Sequence, residues 1–382
     1  MNFNLSEEQQ SLRDEIIRFA RNELNAGVIE RDRAQLFPRD LWLKCGEMNL
    51  QGLPVPREYG GVGLDPLSTA IALEALGYGC EDGGLVFAIC AHLLACVVPV
   101  WKHGSVEQKQ RYLPGMCDGS LIAVNGTTET ASGSDVFAMA TTARREGSQF
   151  VLNGAKTFSS NGPVADLALI YAATDKDKGY RGGISAFLVE KGTPGFRSGQ
   201  RFEKMGLRTC SIGELLLEDV RVNADALLGE VGAGAVIFSE SMAWERICLV
   251  ASHVGTMARL LDQAVEYART RKTAGQPIGK LQAISHRIAD MKVRLEASRL
   301  LVYKAASQIG ETWEIDREAA IAKLHTSEAL IKTAMDTMQI LGGYGFMVDY
   351  GVERTLRDAM ASTIYSGTSE VQRNIIARWL GL

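Results

Sequence analysis

Between Leu121 and Val222 the chain reads LIAVNGTT (121–128), QFVLNGAKTFSS (149–160), LALIYAAT (167–174), GISAFLVEK (183–191), FRSGQRF (196–202) and GELLLEDVRV (213–222). Each run is short and either apolar or alternating, and Asn-Gly, Gly-Gly and Pro-Gly pairs punctuate them. These are signals of strands joined by tight turns, at the spacing of a β-barrel or sandwich. On both sides the texture is helical. Upstream, Leu12, Ile16, Ile17, Phe19 and Ala20 recur at helical spacing behind Ser6, an N-cap candidate followed by acidic residues. Further helices are expected over Pro38–Met48, Pro66–Gly77 and Val106–Gly115, with the turn-rich PVPREYGGVGLDP (54–66) in between. Downstream, Ala235–Arg271 reads as one long helix. It is followed by Leu281–Gln308, Asp316–Leu341 and a terminal stretch from Ser369. Long helices with thin caps predict a bundle or a subunit contact.

The chain has 382 residues, enough for two or three domains at roughly 150 residues each. Its composition, 46% hydrophobic and 23% charged, is that of a globular protein with a buried core. Forty-one Lys and Arg against 45 Asp and Glu leave a formal charge of -4, so no positive field draws in nucleic acid. The 7 cysteines are scattered without CxxC spacing, which fits a reducing compartment and no structural zinc. The N-terminus begins acidic and amphipathic, unlike a secretion signal, and a cytoplasmic location is expected. Gly83–Trp101 (GGLVFAICAHLLACVVPVW) approaches the length of a bilayer span. A helix buried on all sides gives the same pattern, and His92, Pro99, the opening Gly-Gly and the absence of a basic flank on the N-terminal side favour that reading over a membrane.

Several loops carry small, hydroxyl or glycine residues. TTETASGSD (127–135) would let a backbone approach a phosphate or a ring, and a surface turn explains it as well. RKTAG (271–275) could clamp phosphate or simply complement a helix C-terminus. QILGGYG (339–345) and YSGTSEVQR (365–373) also read as helix caps. No GxGxxG after a strand and no Walker loop is present, which disfavours a Rossmann or P-loop enzyme. His92, His103, His253, His286 and His325 show no metal spacing, and no Cys–His nucleophile pattern occurs.

PREYGGVGLD (56–65), TETASGSD (128–135), NGAKTFSSNG (153–162), RKTAGQPIGKLQAISHRIADM (271–291), QILGGYG (339–345), RDA (357–359) and IYSGTSEVQR (364–373) follow one another along the chain. In order and spacing they resemble the acyl-CoA dehydrogenase superfamily, whose members usually read TEPGAGSD and NGxKxWITNG at the second and third stretches. The resemblance implies an α+β fold: a helical N-terminal domain over 1–119, a middle β-barrel domain over 120–230 and a C-terminal four-helix bundle over 231–382. It also implies FAD, held between the last two domains and across a subunit contact in a homotetramer. By position, Thr128 to Ser134 would meet the isoalloxazine edge and pyrophosphate, and Phe158, Ser159 and Ser160 would cover one flavin face. Ser160 stands where a threonine usually bonds flavin N5, and its hydroxyl can do the same. Arg271, Thr273, Gln282, Gln339, Gly342 and Gly343 would secure the adenosine and pyrophosphate of a neighbouring subunit's FAD. Thr368 and Glu370 would flank the cofactor where a helix starts. Ala274 replaces the phenylalanine of the family's RKxFG stretch, removing one packing contact.

The departure that matters is at the base. Family chemistry removes an α-proton from an acyl thioester with a carboxylate while the β-hydrogen leaves as hydride to the flavin. In many members the carboxylate is the glutamate of a YEGT motif, and here that position is Ser366, whose hydroxyl is no useful base. The family's second location lies on the long helix after the β domain, where SMAWERICLV (241–250) places Glu245. Met242, Ala243, Trp244, Ile247 and Cys248 surround it with apolar residues that would desolvate the carboxylate and raise its pKa. Without the resemblance, a surface glutamate paired with an arginine is the plainer reading. Arg246, Ser134 and Ser366 become substrate-binding candidates: Arg246 for the pantetheine or phosphate end, and the Ser366 N–H, with the flavin ribityl hydroxyl, for the thioester oxygen.

The expected activity is therefore FAD-dependent α,β-dehydrogenation of a small acyl thioester with Glu245 as base. The carrier-protein-bound prolyl type is the leading substrate class and a short branched-chain acyl-CoA the alternative. Either electron-transfer flavoprotein or oxygen would reoxidise the flavin. A flavin monooxygenase or oxidase of the same fold, and an inactive FAD-binding scaffold, are the readings from other classes.

Overall fold

The computed structural model describes residues 4–382. The first part is helical: α1 (Glu7–Glu23), α2 (Val28–Ala34), α3 (Arg39–Glu47), α4 (Pro66–Gly79), α5 (Gly83–His92), α6 (Val98–His103) and α7 (Val106–Cys117). The starts are dictated locally. Ser6 and Gln9 close a capping box on α1, Ser105 and Gln108 close another on α7, and Asp65 and Asp82 accept backbone N–H groups at the heads of α4 and α5. A wide, π-type turn over Leu93–Val97 joins α5 to α6, so Gly83–His103 runs as a single helix. Of its most apolar window, 89% is buried against the rest of the protein. The membrane-length stretch is thus a core helix, apolar all round because protein surrounds it.

Eight strands follow: β1 (Ala123–Gly126), β2 (Thr142–Glu146), β3 (Gln149–Ser160), β4 (Leu167–Ala173), β5 (Ile184–Glu190), β6 (Phe196–Arg201), β7 (Ile212–Asn223) and β8 (Leu227–Leu228). They form one sheet in the order β6-β7-β3-β2-β4-β5-β8, with β1 added alongside β4. Most pairs are antiparallel, whereas β1 and β2 each meet β4 in parallel. The long β3–β7 pair slips in register between Leu152 and Gly154 and again between Lys156 and Ser159. Such bulges bend the strand and re-aim side chains. Leu152, Ile170, Phe187 and Leu217 centre a core that belongs to the sheet alone.

The remainder is helical again: α8 (Gly234–Trp244), α9 (Val250–Thr270), a short hairpin of β9 (Lys272–Thr273) and β10 (Gln276–Pro277), then α10 (Gln282–Ala306), α11 (Ile315–Leu341), α12 (Val352–Met360) and α13 (Ser369–Trp379). The long helix read from sequence is continuous, but a second π-type turn over Glu245–Leu249 interrupts its winding. The two helical parts share one apolar core, which includes Ile16, Leu73, Ile89, Ile247, Val254 and Leu330.

Two glycines set the closest approach within that core. A Cβ on Gly77 of α4 would stand 2.0 Å from the Ser252 carbonyl oxygen, and one on Gly255 of α9 only 1.9 Å from the Glu74 carbonyl oxygen. Backbone therefore meets backbone where α4 crosses α9, a contact only glycine permits. One turn before Gly77, buried Glu74 accepts from Arg299 at 2.9 Å and from the Tyr303 hydroxyl at 2.8 Å, tying α4 to α10. The segment carrying Glu245 is thereby wedged between helices of both parts. Gly255→Ala is expected to destabilise the protein by about 3 kcal/mol, because overpacking against backbone has no rotamer to relax into. A urea-unfolding midpoint indistinguishable from wild type would contradict the crossing.

Candidate active site

Glu245 opens the wide turn between α8 and α9, where Trp244, Ile247, Cys248 and Leu249 are all buried. Such turns widen the helix and frequently mark functional positions. The chain returns to it from the far end: the Ser366 hydroxyl, on the loop before α13, donates to Glu245 Oε1. Ser366 adopts φ +55 and Gly367 φ +86, a left-handed pair that is sterically costly at the serine. Its carbonyls are held from behind. Arg246 Nε donates to Ser366 O at 3.1 Å and Lys323 Nζ to Gly367 O at 2.8 Å, while Gln372 Nε2 donates to both, at 3.2 and 2.8 Å. Next in the chain, Tyr365 packs its ring 4.7 Å from that of Phe87, and its hydroxyl lies 2.7 Å from His253 Nε2.

Burial is the dominant force on the Glu245 carboxyl and raises its pKa, opposed by the Ser366 hydrogen bond and by the charges of Arg246 and Lys323. The result is a carboxyl held above its ordinary range yet still provided with partners for its ionised form. Burial likewise lowers His253, to about 3, so this imidazole is neutral at physiological pH.

A second group lies on the sheet. Buried Lys156 donates to Glu129 at 2.8 Å, and Glu129 accepts from Ala140 N at 2.6 Å and Thr141 N at 3.0 Å. This buried pair staples both ends of the loop that carries Ser134. Thr157 N donates to the Thr128 carbonyl at 2.8 Å, fixing the same loop against β3. Ser134 itself is exposed. Phe158 adopts φ +52 and stays 67% exposed, its ring resting 5.4 Å from that of Phe202. Among the described residues the buried Ser159 hydroxyl has no hydrogen-bond partner, and Ser160 ends β3 opposite Ile212.

A third group lines an open groove of about 510 Å³ at the ends of α9 and α11. Arg271, Gly342 and Gly343 border it with Tyr267 and Tyr344, and the Arg271 guanidinium lies over the Tyr344 ring at 5.7 Å. Among the described residues, added Cβ atoms on Gly342 or Gly343 would meet nothing within 4 Å, so these glycines leave open backbone. Thr273 sits on the exposed β9 hairpin, and Gln282 and Gln339 are exposed at helix ends without bordering the groove. Thr368 caps α13, accepting from Val371 N at 3.3 Å, and Glu370 is exposed in that helix's first turn.

The sequence reading passed over Lys323, Gln372, Tyr365 and Phe87. For Lys323 a signal was present: it shares a helical face with Ala319, Thr326 and Leu330, an apolar stripe on which a lysine is out of place.

All three parts of the chain match family models: the acyl-CoA dehydrogenase N-terminal domain over residues 6–120, the middle domain over 125–220 and the C-terminal domain over 232–381. The chain belongs to the acyl-CoA dehydrogenase family. Among its relatives, an L-prolyl-[peptidyl-carrier protein] dehydrogenase of a Serratia species is 41% identical over 382 residues, spanning 100% of this chain and 99% of that protein. The solved structure of the prolyl acyl carrier protein oxidase AnaB superposes with a TM-score of 0.97 at 43% identity, over 99% of this chain and 100% of that one. A structure of PigA with FAD and proline gives a TM-score of 0.97 at 40% identity, over 100% of both chains.

The geometry has a consequence for pH. The Ser366 hydroxyl favours the ionised form of Glu245, so Ser366→Ala should raise that carboxyl's pKa further. If Glu245 must be ionised to accept a proton, activity rises with pH through its pKa, and the acid limb of the Ser366→Ala profile should lie above that of wild type. The profile of the flavin reduction rate measures the shift, and coincident acid limbs would exclude the coupling.

Proposed function

We propose that this protein is an FAD-dependent dehydrogenase of acyl thioesters, acting on a small prolyl-type acyl group carried by a carrier protein, with Glu245 as the base. The observation that carries it is a buried carboxyl, raised in pKa by its apolar surroundings, facing a hydroxyl at the position where many family members place their glutamate. The full-length likeness to a prolyl-carrier-protein dehydrogenase and to AnaB supports the substrate class.

The residues fit FAD. The partnerless buried Ser159 hydroxyl, the exposed ring of Phe158 and the stapled loop from Thr128 to Ser134 offer donors and an aromatic surface to a flavin. Ser160, beside them on β3, would offer its hydroxyl to flavin N5. Thr368 and Glu370 would lie beside the cofactor at the start of α13. The open glycines and Arg271 of the groove would hold the adenosine and pyrophosphate of a neighbouring subunit's cofactor, with Thr273, Gln282 and Gln339 alongside, in a homotetramer. When bound, FAD supplies the acceptor for the substrate's β-hydride.

Everything else falls to the chain. Glu245 takes the α-proton, and its raised pKa brings its proton affinity nearer to that of its task. The Ser366 N–H donates to the thioester oxygen, withdrawing charge from the α-carbon as its proton leaves. The Ser366 hydroxyl keeps the Glu245 carboxylate aimed. The apolar shell of Trp244, Ile247 and Cys248 excludes water from the exchange. Arg246 and Ser134 bind the carrier arm. Electron-transfer flavoprotein or oxygen takes the electrons onward.

Anaerobic mixing with the L-prolyl thioester of a carrier protein, and with a panel of short and branched acyl-CoAs, tests the reading through the flavin absorbance. Glu245→Gln should retain FAD and lose the bleaching by about 10²–10⁴-fold. Wild-type bleaching rates in that variant would remove Glu245 from the reaction. Bleaching by an acyl-CoA and not by the carrier-bound prolyl group would replace the substrate.

A further inference from the structure

Behind the Glu245–Ser366 pair stands a charge to which the chemistry above gives no task. Lys323 lies on α11 with its side chain fully buried, on the helical face that carries Ala319, Thr326 and Leu330. Among the described residues no carboxylate oxygen comes within 4.0 Å of its ammonium, and its hydrogen bond goes to the Gly367 carbonyl. An ammonium buried without a counter-ion is costly, and an apolar residue of the same length would avoid that cost. The location tells what the charge does. The strained, left-handed Ser366–Gly367 turn is gripped at its carbonyls by Arg246, Lys323 and Gln372, from three separate elements, while the serine hydroxyl points to Glu245.

We propose that Lys323 is a positioning residue: through the Gly367 carbonyl it locks the turn that aims Ser366 at Glu245. Arg246, next to Glu245, also grips the turn and is given a substrate contact by the proposed function, so Lys323 is the member of the pair whose hydrogen bond serves the turn alone.

Several titratable groups surround the pair. Arg246 and Glu245 face Lys323 from the wide turn, Glu370 from α13, His253 from α9 and Glu328 from its own helix. Cys90, Cys96, Tyr171 and Tyr365 feel the charge of Glu245 from the other elements around it. Burial, reinforced by Arg246, pulls Lys323 down to about 8. The clamp therefore loses its charge within an accessible range. The base is active when ionised and Lys323 supports it when protonated, so the rate should rise through the pKa of Glu245 and fall as pH passes about 8.

The role of Lys323 rests on Glu245 being the base, and the test separates the two. FAD-loaded wild type, Glu245→Gln, Lys323→Met and Lys323→Arg are mixed anaerobically with the L-prolyl thioester of a carrier protein from pH 6 to pH 10, and the limiting bleaching rate and half-saturating concentration are read apart. Lys323→Met should keep FAD and half-saturation within about twofold while the limiting rate at pH 7 drops about tenfold or more, with the acid limb moved up. Lys323→Arg should restore most of the rate and abolish the fall above pH 8, since guanidinium does not titrate there. Independently of turnover, hydrogen–deuterium exchange in residues 364–372 should quicken in Lys323→Met and not in Lys323→Arg. A bleaching wild type beside a Lys323→Met enzyme with unchanged rate, profile and exchange overturns the positioning role and leaves Glu245 intact. A Glu245→Gln enzyme that bleaches at the wild-type rate overturns the role of Glu245, and the exchange comparison then still decides whether Lys323 holds the turn. Should Lys323→Met fail to fold, Lys323→Arg carries the test, and retention of the alkaline fall in that variant is the refuting outcome.

Discussion

A carboxyl group taken out of water has to be answered by its surroundings, and the centre of this molecule is arranged around that demand. Glu245 is enclosed by apolar side chains of both helical parts. It would simply remain protonated if nothing nearby favoured its charge. The answer comes from far along the chain: a hydroxyl on the tail, a neighbouring guanidinium and a buried ammonium. Each of these must itself be held. The tail turn is kept in a conformation serine avoids, and the donors that hold it come from α11, α13 and the wide turn. One expensive burial thus fixes the mutual placement of four elements.

The regions proposed to face the cofactor obey a different logic. The loop carrying Ser134 is secured from underneath by Lys156 and Glu129, so its outer side can stay small and open. The groove at Arg271 relies on glycine backbone and an aromatic floor. Both regions stay open. Phe158 in particular presents most of its ring outward, as expected of surfaces that finish their packing against a bound group.

Much of this was legible in the residues. The order of helices, strands and helices follows from periodicity and turn pairs, and Ser6 marks the start of α1 because capping is a local event. The burial of Glu245 was legible only through the family resemblance, which left the YEGT position to Ser366 and pointed to the second location; from the residues alone a surface glutamate is the plainer reading. What escaped were features created by long-range pairing. Lys323 meets Gly367 across 44 residues and Ser366 meets Glu245 across 121, separations that no window of sequence spans. The crossing at Gly77 and Gly255 was hidden for a related reason. A glycine inside a helical run reads as a weak point until the partner helix is known.

The wide turn at Glu245–Leu249 has a geometric consequence. Each residue of an α-helix advances the winding by about 100°, and a turn of this type accommodates one residue more than regular winding allows. The helix is pinned at its far side by the seat of Gly255 on α4, so the surplus residue acts as an angular offset between that seat and the direction in which Glu245 points. Shortening the segment by a single residue would leave the composition of the pocket almost untouched and rotate the carboxylate out of it. In this helix, phase is as much a determinant of the site as the identity of the acid.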